Sequence, residues 1–360
     1  MKFESPKKKI AFFIPDFSMG GTLTLLKSLL SNLSKHFDLY VVVQKDIKGL
    51  DLNVTIFRLQ TSNTLLSIFR LRTLCKKHRF MCVFSFMERA NLISYIANLY
   101  LPCHSVLSVH NSPQQAFKHR TMLKRLASDF LYRSIKKQSP IVAVSEGISN
   151  ELRKTYRLKN VTTIYNSIAK VTGVQNSDYQ SPVLLTHCRL VRQKRLDILI
   201  DSVHKLRQKH QNFKLVIVGD GPLKAELNNK IDDLNCVNYV KVESNLNPDL
   251  VLKGSHIYLQ SSKFEGFGIA MLEAMSFGLA VVAVDCDYGP REILKSKYGI
   301  LVNDGQRSQI VDDLNNVLSK LLSDYKQIEK WRYLALEGAD YFTSDKIIQK
   351  YIKLFNDLSK

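Results

Sequence analysis

The sequence predicts two Rossmann-like, doubly wound α/β domains facing each other across a cleft, in a chain of 360 residues. Three observations carry this prediction. Apolar strands alternate with helical patterns in two separate series, a polar turn-rich stretch divides the series, and the length suits two domains of about 150 residues each. In the first series the strands read KKIAFFIP, DLYVVVQ, NVTIFRL, FMCVFSF, SVLSVH, PIVAVS and VTTIYN. Helical periodicity falls between them at 22–34, 67–78, 91–101, 119–137 and 148–156. The stretch 169–182, AKVTGVQNSDYQSP, reads as the linker. The second series runs VLLTHCRL, KLVIVGD, CVNYVKV, HIYLQS, AVVAVD and GILVN. The expected domains are therefore 1–168 and 183–344, followed by a last helix at 345–360. In open parallel sheets, ligands bind beyond the carboxyl ends of the strands.

Composition narrows the class. A hydrophobic fraction of 45% supports two ordinary cores. No apolar run approaches the roughly 18–20 residues of a membrane span. Lys7, Lys8 and Lys9 precede IAFFIP, but that run is too short for a signal peptide and no small-residue cleavage site follows. The six cysteines show no C-x-x-C pair, so they read as reduced, buried thiols of a cytosolic protein. Charge is segregated: residues 1–168 carry 26 Lys/Arg against 9 Asp/Glu, a net of +17, whereas the remainder carries 26 against 23. A basic first half points to anionic material, whether lipid headgroups, a phosphorylated acceptor or nucleic acid.

The segment 261–294, SSKFEGFGIAMLEAMSFGLAVVAVDCDYGPREIL, holds most of the chemical information. The preceding HIYLQSS reads as a buried strand, and IAMLEAMSFG reads as a helix closed by Gly278. Between them Gly266, Phe267 and Gly268 form a loop through which backbone can approach a ligand closely. A helix N-terminus follows, with free N–H groups and a positive dipole end suited to an anion. Glu265 precedes that anion site and Glu273 follows it, eight residues later. Ionised carboxylates accept paired hydrogen bonds from the vicinal diols of sugars.

This E-x7-E string, with its small-residue helix, AVVAVD strand and GPREIL turn, resembles the retaining glycosyltransferases of family 4, the group 1 transferases of GT-B architecture. The resemblance implies transfer of a sugar from a nucleotide diphosphate donor, with UDP-sugars the commonest, to a glycan or lipid-linked acceptor of bacterial-type surface polysaccharide. It implies that Arg189 and Lys194, in HCRLVRQKRLD, neutralise the departing diphosphate, although Cys188 stands where the family has glycine. It implies that Gly20 and Gly21 form the loop approaching the donor, that His110 lies near the donor sugar, and that Asn166 ends a strand near the interdomain hinge. Glu265 would hold sugar hydroxyls and Glu273 the ribose diol. The closing helices of such enzymes cross back onto the first domain. No covalent glycosyl-enzyme is implied, so no nucleophile is assigned.

Two other motifs compete for attention. Gly219-Asp220-Gly221-Pro222 starts like a dinucleotide fingerprint, but Lys224 occupies the third glycine position. Asp285-Cys286-Asp287 is formally D-x-D, yet it follows a strand and leads into a turn before a helix at Pro290. The nine histidines show no ligand spacing, and no metal or other cofactor is expected. The rival readings are a sugar-nucleotide epimerase of the same fold and a basic nucleic-acid-binding protein. The second lacks an aromatic-interleaved basic motif. Finally, Leu123, Leu126, Phe130 and Ile135 lie among eight basic residues, counting His119, in 118–137. That stripe either packs on the sheet or docks a cytoplasmic protein on an anionic membrane, and both readings stay open.

Overall fold

The computed structural model describes residues 6–15, 21–45, 53–118, 122–135, 139–171, 179–244 and 246–358. The chain forms two compact units, 1–167 with 344–360, and 168–343. Of the stretch expected as a linker, residues 172–178 lie outside the described residues.

The first unit contains β1 (Lys9–Ile14), α1 (Gly21–Leu33), β2 (Asp38–Val43), β3 (Thr55–Arg58), α2 (Thr64–His78), β4 (Cys82–Phe86) and α3 (Met87–Ala97). It continues through β5 (His104–Val109), α4 (Pro113–Lys118), α5 (Met122–Ser134), β6 (Ile141–Ala143), α6 (Glu146–Tyr156) and β7 (Val161–Thr163). Its seven strands pair in parallel in the order β3-β2-β1-β4-β5-β6-β7. Residues along β1 alternate between two cores, as strand geometry requires. Ile10, Phe12 and Ile14 join the cluster beneath α1, whereas Ala11 and Phe13 join the one beneath α2 and α3. The second unit contains β8 (Val183–His187), α7 (Leu196–Leu206), β9 (Lys214–Val218), α8 (Lys224–Asp233), β10 (Val240–Glu243), α9 (Pro248–Lys253) and β11 (Ile257–Gln260). Then follow α10 (Ile269–Ser276), β12 (Ala280–Asp285), α11 (Pro290–Leu294), β13 (Ile300–Asn303), α12 (Arg307–Ser323) and α13 (Tyr325–Ala339). Its parallel order is β10-β9-β8-β11-β12-β13. The strand order therefore reverses direction between β8 and β11, and the chain leaves those two strands toward opposite edges of the sheet.

Helix boundaries correct the sequence expectation in four places. The helix expected at 91–101 begins at Met87, where no side chain caps the start and sequence gives no signal. The helix expected at 67–78 begins at Thr64, because Asn63 caps it by accepting from the Leu66 N–H at 3.1 Å. The helix expected at 148–156 begins at Glu146, capped by Ser145. The helix expected at 119–137 is α5 alone, preceded by the separate short helix α4. Its apolar stripe also divides: Ile135 is buried with Leu131, while Leu126 and Phe130 face solvent with Met122. The side chain of Leu123 lies outside the described residues. On α2 the large apolar residues Leu65 and Phe69 are exposed too, at 69% and 68%. All six cysteines are free. Among the described residues, no helix is long and apolar enough to cross a membrane.

The final helix, α14 (Ser344–Asp357), belongs to the first unit. Ile347, Ile348, Tyr351 and Phe355 enter the same core as Phe12 and Phe84. Phe355 meets Phe37 edge-on at 5.6 Å and Phe84 at 6.0 Å. We therefore expect Phe355→Ala to cost about 3–5 kcal/mol in urea unfolding of the first unit. Lys353→Ala, on the exposed side of the helix, should stay within about 0.5 kcal/mol. An unchanged midpoint for Phe355→Ala would show that α14 is not part of that core.

Candidate active site

Two loops meet at the switch point of the second unit. The loop after β8 runs through Arg189 to a short 3₁₀ turn, Arg192–Lys194. The loop after β11 runs through Ser262 and Glu265 to α10. Gln193 Nε2 donates to the Phe264 carbonyl at 2.7 Å, and the Lys263 N–H donates to the Gln193 carbonyl at 2.8 Å. Arg195, held at φ 48°, donates to the carbonyls of Ser261 and Ser262 at 2.7 and 2.8 Å and pairs with Asp304 at 2.8 Å. The loops are thereby fixed to each other before any ligand arrives.

Within this frame Lys194 and Glu265 are in direct contact. Lys194 Nζ lies 2.5 Å from Glu265 Oε1, and Ser262 Oγ donates to the same oxygen at 2.6 Å. Burial opposes the Lys194 ammonium, but the charge and hydrogen bond of Glu265 outweigh it and raise its pKa above the ordinary lysine value. The Glu265 N–H is bound to the Asp287 carbonyl at 3.1 Å. Lys194, Ser262, Glu265, Gly268, Ile269 and Ala270 line a cavity here. Gly268, at φ 104°, starts α10, and no side chain caps that helix N-terminus. The site thus combines a cation, a helix end suited to an anion and a carboxylate with one oxygen already engaged.

Glu273 lies farther along α10. Burial, with a smaller contribution from Asp249, pushes its pKa up to about 7. His187, the last residue of β8, faces it with Nδ1 3.9 Å from Glu273 Oε2. Arg189 is exposed, its carbonyl accepts from the Val191 N–H at 2.9 Å, and its side chain makes no hydrogen bond or ion pair among the described residues, so its guanidinium is available to a ligand. Cys188 does not take a positive φ, so the turn accepts cysteine at the position where the resemblance led to an expected glycine.

The remaining expected residues belong to the first unit. Gly21 opens α1 directly after the segment that follows β1, while Gly20 lies outside the described residues. His110 follows β5 and stacks on Phe86 at 5.8 Å, and its Nε2 lies 2.7 Å from Ser108 Oγ. Burial pushes its pKa down to about 4, so the ring is neutral at physiological pH. Asn166 is buried, and its Oδ1 has no hydrogen-bond partner among the described residues.

The two competing motifs support the loops. A Cβ at Gly219 would lie 1.9 Å from the Cys188 carbonyl oxygen, so this glycine lets the β9 loop press against the β8 loop. A Cβ at Gly289 would lie 2.0 Å from the Phe267 oxygen, so the turn after β12 backs the Gly266–Gly268 loop. Asp285 is paired with Arg291 at 2.9 Å, and no metal-holding cluster occurs among the described residues. Sequence reasoning missed Ser262, Gln193 and the stitching role of Arg195, which depends on a left-handed backbone that no motif announces. It also missed His187, a lone histidine in a strand pattern, and Gln260, whose buried Nε2 beside the cavity has no partner among the described residues.

Comparison with known proteins agrees with this geometry. The family model for glycosyl transferases group 1 matches residues 168–335, and that for glycosyltransferase family 4 matches 19–169. The chain belongs to the group 1 glycosyltransferases. This glycosyltransferase is 31% identical over 286 residues to an uncharacterized glycosyltransferase of Methanocaldococcus jannaschii, covering 68% of this chain and 70% of the relative. It is 25% identical to the N-acetylgalactosamine-N,N'-diacetylbacillosaminyl-diphospho-undecaprenol 4-alpha-N-acetylgalactosaminyltransferase of Campylobacter jejuni, across 92% and 96% of the two chains. Among solved structures it is similar to the pneumococcal O-GlcNAc transferase GtfA in complex with UDP and GlcNAc, with a TM-score of 0.82 at 13% identity over 98% and 99% of the chains. A complex of Anabaena HepE with UDP and glucose gives 0.80 at 18% identity over 97% and 100%. These likenesses establish the GT-B fold.

The buried Lys194–Glu265 pair makes a stability prediction. Removing one partner of such a pair leaves an uncompensated charge, so Lys194→Met should cost about 3 kcal/mol in denaturant unfolding. Arg192→Met, which removes an exposed pair with Glu226, should cost less than about 1 kcal/mol. Equal, small losses in both variants would mean that the Lys194 pair carries no structural load.

Proposed function

We propose that this glycosyltransferase moves a sugar from a UDP-sugar onto a glycan or lipid-linked acceptor in surface glycan assembly, with retention of anomeric configuration and without a metal. The observation that carries the reading is the junction of Lys194, Glu265 and the α10 N-terminus at the switch point. Breaking the donor bond develops negative charge on the departing diphosphate and positive character on the sugar. Lys194, Arg189 and the N–H groups of α10 would stabilise the first, being oriented before the charge develops. Glu265 has one oxygen tied to Lys194 and Ser262, which suits it to accept from sugar hydroxyls. Glu273 would accept from the ribose diol, and neutral His110 would meet the sugar with a ring that adds no charge. The engaged Glu265 is assigned no nucleophilic role, and the departing phosphate is the base for the acceptor hydroxyl. UDP in the similar GtfA and HepE complexes supports the donor, and the diphospho-undecaprenol acceptor of the Campylobacter relative supports the acceptor class.

Charged hydrogen bonds contribute about 1.5–3 kcal/mol each, so Glu273→Gln should weaken UDP binding at least tenfold in calorimetry at pH 8. In turnover, proton NMR should show the donor's anomeric configuration in the product, and the rate should persist in excess EDTA. An inverted linkage would refute retention, and loss in EDTA restored by manganese would refute metal independence.

The same reading includes docking on an anionic membrane. Met122, Leu126 and Phe130 form one exposed stripe on α5, and Leu65 and Phe69 form another on α2. Both helices pack beside α3 on one face of the sheet, in the half of the chain that carries a net of +17. Exposed apolar side chains among cations suit an interface that offers hydrocarbon beneath negative headgroups, with each Lys or Arg near the surface contributing about 1 kcal/mol. The protein should sediment with anionic vesicles, less so at high salt, and Phe69→Ser with Phe130→Ser should abolish this. Equal recovery with neutral and anionic vesicles, or none with either, would rule out docking and leave the transferase reading intact.

A further inference from the structure

His187 is a histidine with an unused nitrogen in front of a carboxylate that needs help. Its backbone carbonyl accepts from the Tyr258 hydroxyl at 3.3 Å, which fixes the end of β8. The ring is largely covered, and Nδ1 is buried without a hydrogen-bond partner among the described residues. Buried polar atoms left in that condition are uncommon and costly. Glu273 Oε2 lies 3.9 Å away, about 1 Å beyond a hydrogen bond and within reach of a small side-chain rotation.

We propose that His187 is a positioning residue for Glu273, closing onto the carboxylate when a nucleotide ribose engages it and taking up the proton that the carboxyl gives away. This rests on the assignment of Glu273 to the ribose diol. A diol donates two hydrogen bonds, so it is served by the ionised carboxylate and poorly by the acid. In the free protein burial and Asp249 hold Glu273 near half ionisation at neutral pH, while burial and then Lys194 keep His187 neutral. The surrounding groups are Lys194 and Cys188 after β8, Asp249 on α9, Tyr258 on β11 and Glu265 after it. Only Lys194 among them is cationic, and it is already bound to Glu265. His187 is thus the neutral base placed to accept a proton from Glu273. The proton leaves the Glu273 carboxyl and settles on His187, whose imidazolium then donates Nδ1–H to the carboxylate.

Glu273 has a raised pKa, so below about pH 7 ligand binding must displace its proton. If that proton is lost to solvent, affinity falls about tenfold per pH unit. If His187 keeps it, the fall is shallower.

Calorimetric titration of UDP between pH 6 and 8.5 tests this with wild type, His187→Asn, His187→Phe and Glu273→Gln, each checked for an unchanged thermal midpoint. Comparing slopes between variants cancels the titration of UDP itself. We expect His187→Phe to lose affinity below pH 7 about tenfold per unit more steeply than Glu273→Gln, which has no carboxyl to deprotonate. Wild type should fall between them. His187→Asn should restore affinity at pH 8, because its amide supplies an N–H near the Nδ1 position, yet keep the steep slope because it cannot take a proton. Coincident slopes for wild type and His187→Phe would overturn the proposal while leaving the ribose assignment standing. Absence of UDP binding in wild type, or full affinity in Glu273→Gln, would overturn the ribose assignment and this proposal with it.

Discussion

The ion pair between Lys194 and Glu265 sits where a parallel sheet is least able to hold itself together. Strands β8 and β11 are neighbours, but the chain leaves them in opposite lateral directions, so their loops share no continuous backbone. Taking a lysine and a glutamate out of water costs more than their attraction returns unless other hydrogen bonds complete the geometry. Here Ser262 completes it on the carboxylate, and Arg195, Gln193 and the Lys263 N–H draw the two loops together from behind. Without that stitching the pair would be a liability. With it, the two charges are held in one geometry.

The arrangement also separates the tasks of two glutamates that look alike in sequence. Glu265 is held by a cation and a hydroxyl within hydrogen-bond reach. The Glu273 carboxylate has, among the described residues, only a histidine at 3.9 Å, and burial leaves it near half ionisation at neutral pH. One carboxylate is held in place by two partners, and the other is set apart by burial that raises its pKa.

Much of this was legible in residue order. The alternation of strands and helices gave both sheets because continuous apolar strands are the mark of a parallel sheet covered on both faces. The order Glu265, Gly266, Gly268 and Glu273 marked the passage from β11 through a loop into α10 because strand end, loop and helix start leave a local record. Other features left none. Arg195 works through a left-handed backbone and contacts 66 and 67 residues away. The α5 stripe could not be assigned to core or solvent from periodicity, since Leu126 and Ile135 are equally apolar and only the neighbouring helix decides which is covered. The start of α3 was misplaced because Phe86 offers no side-chain cap. His187 was invisible because its meaning lies in Glu273, which approaches it only in the folded second unit.

The return of α14 to the first unit has a consequence for how the protein is made. The core around Phe12, Phe84 and Val142 is completed by Tyr351 and Phe355, more than two hundred residues later in the chain. During synthesis the first sheet therefore emerges with one apolar face covered by α1 alone and the α14 part of that core open, and it stays so while the whole second unit is translated. At elongation rates of about 5–20 residues per second, that interval lasts on the order of ten seconds or more. The second unit, continuous in sequence from Ile168 to Thr343, has no such wait and can complete its own core as soon as it has left the ribosome. The N-terminal sheet is thus first to be synthesised and last to be finished, which makes it the part of the nascent chain most in need of chaperone protection.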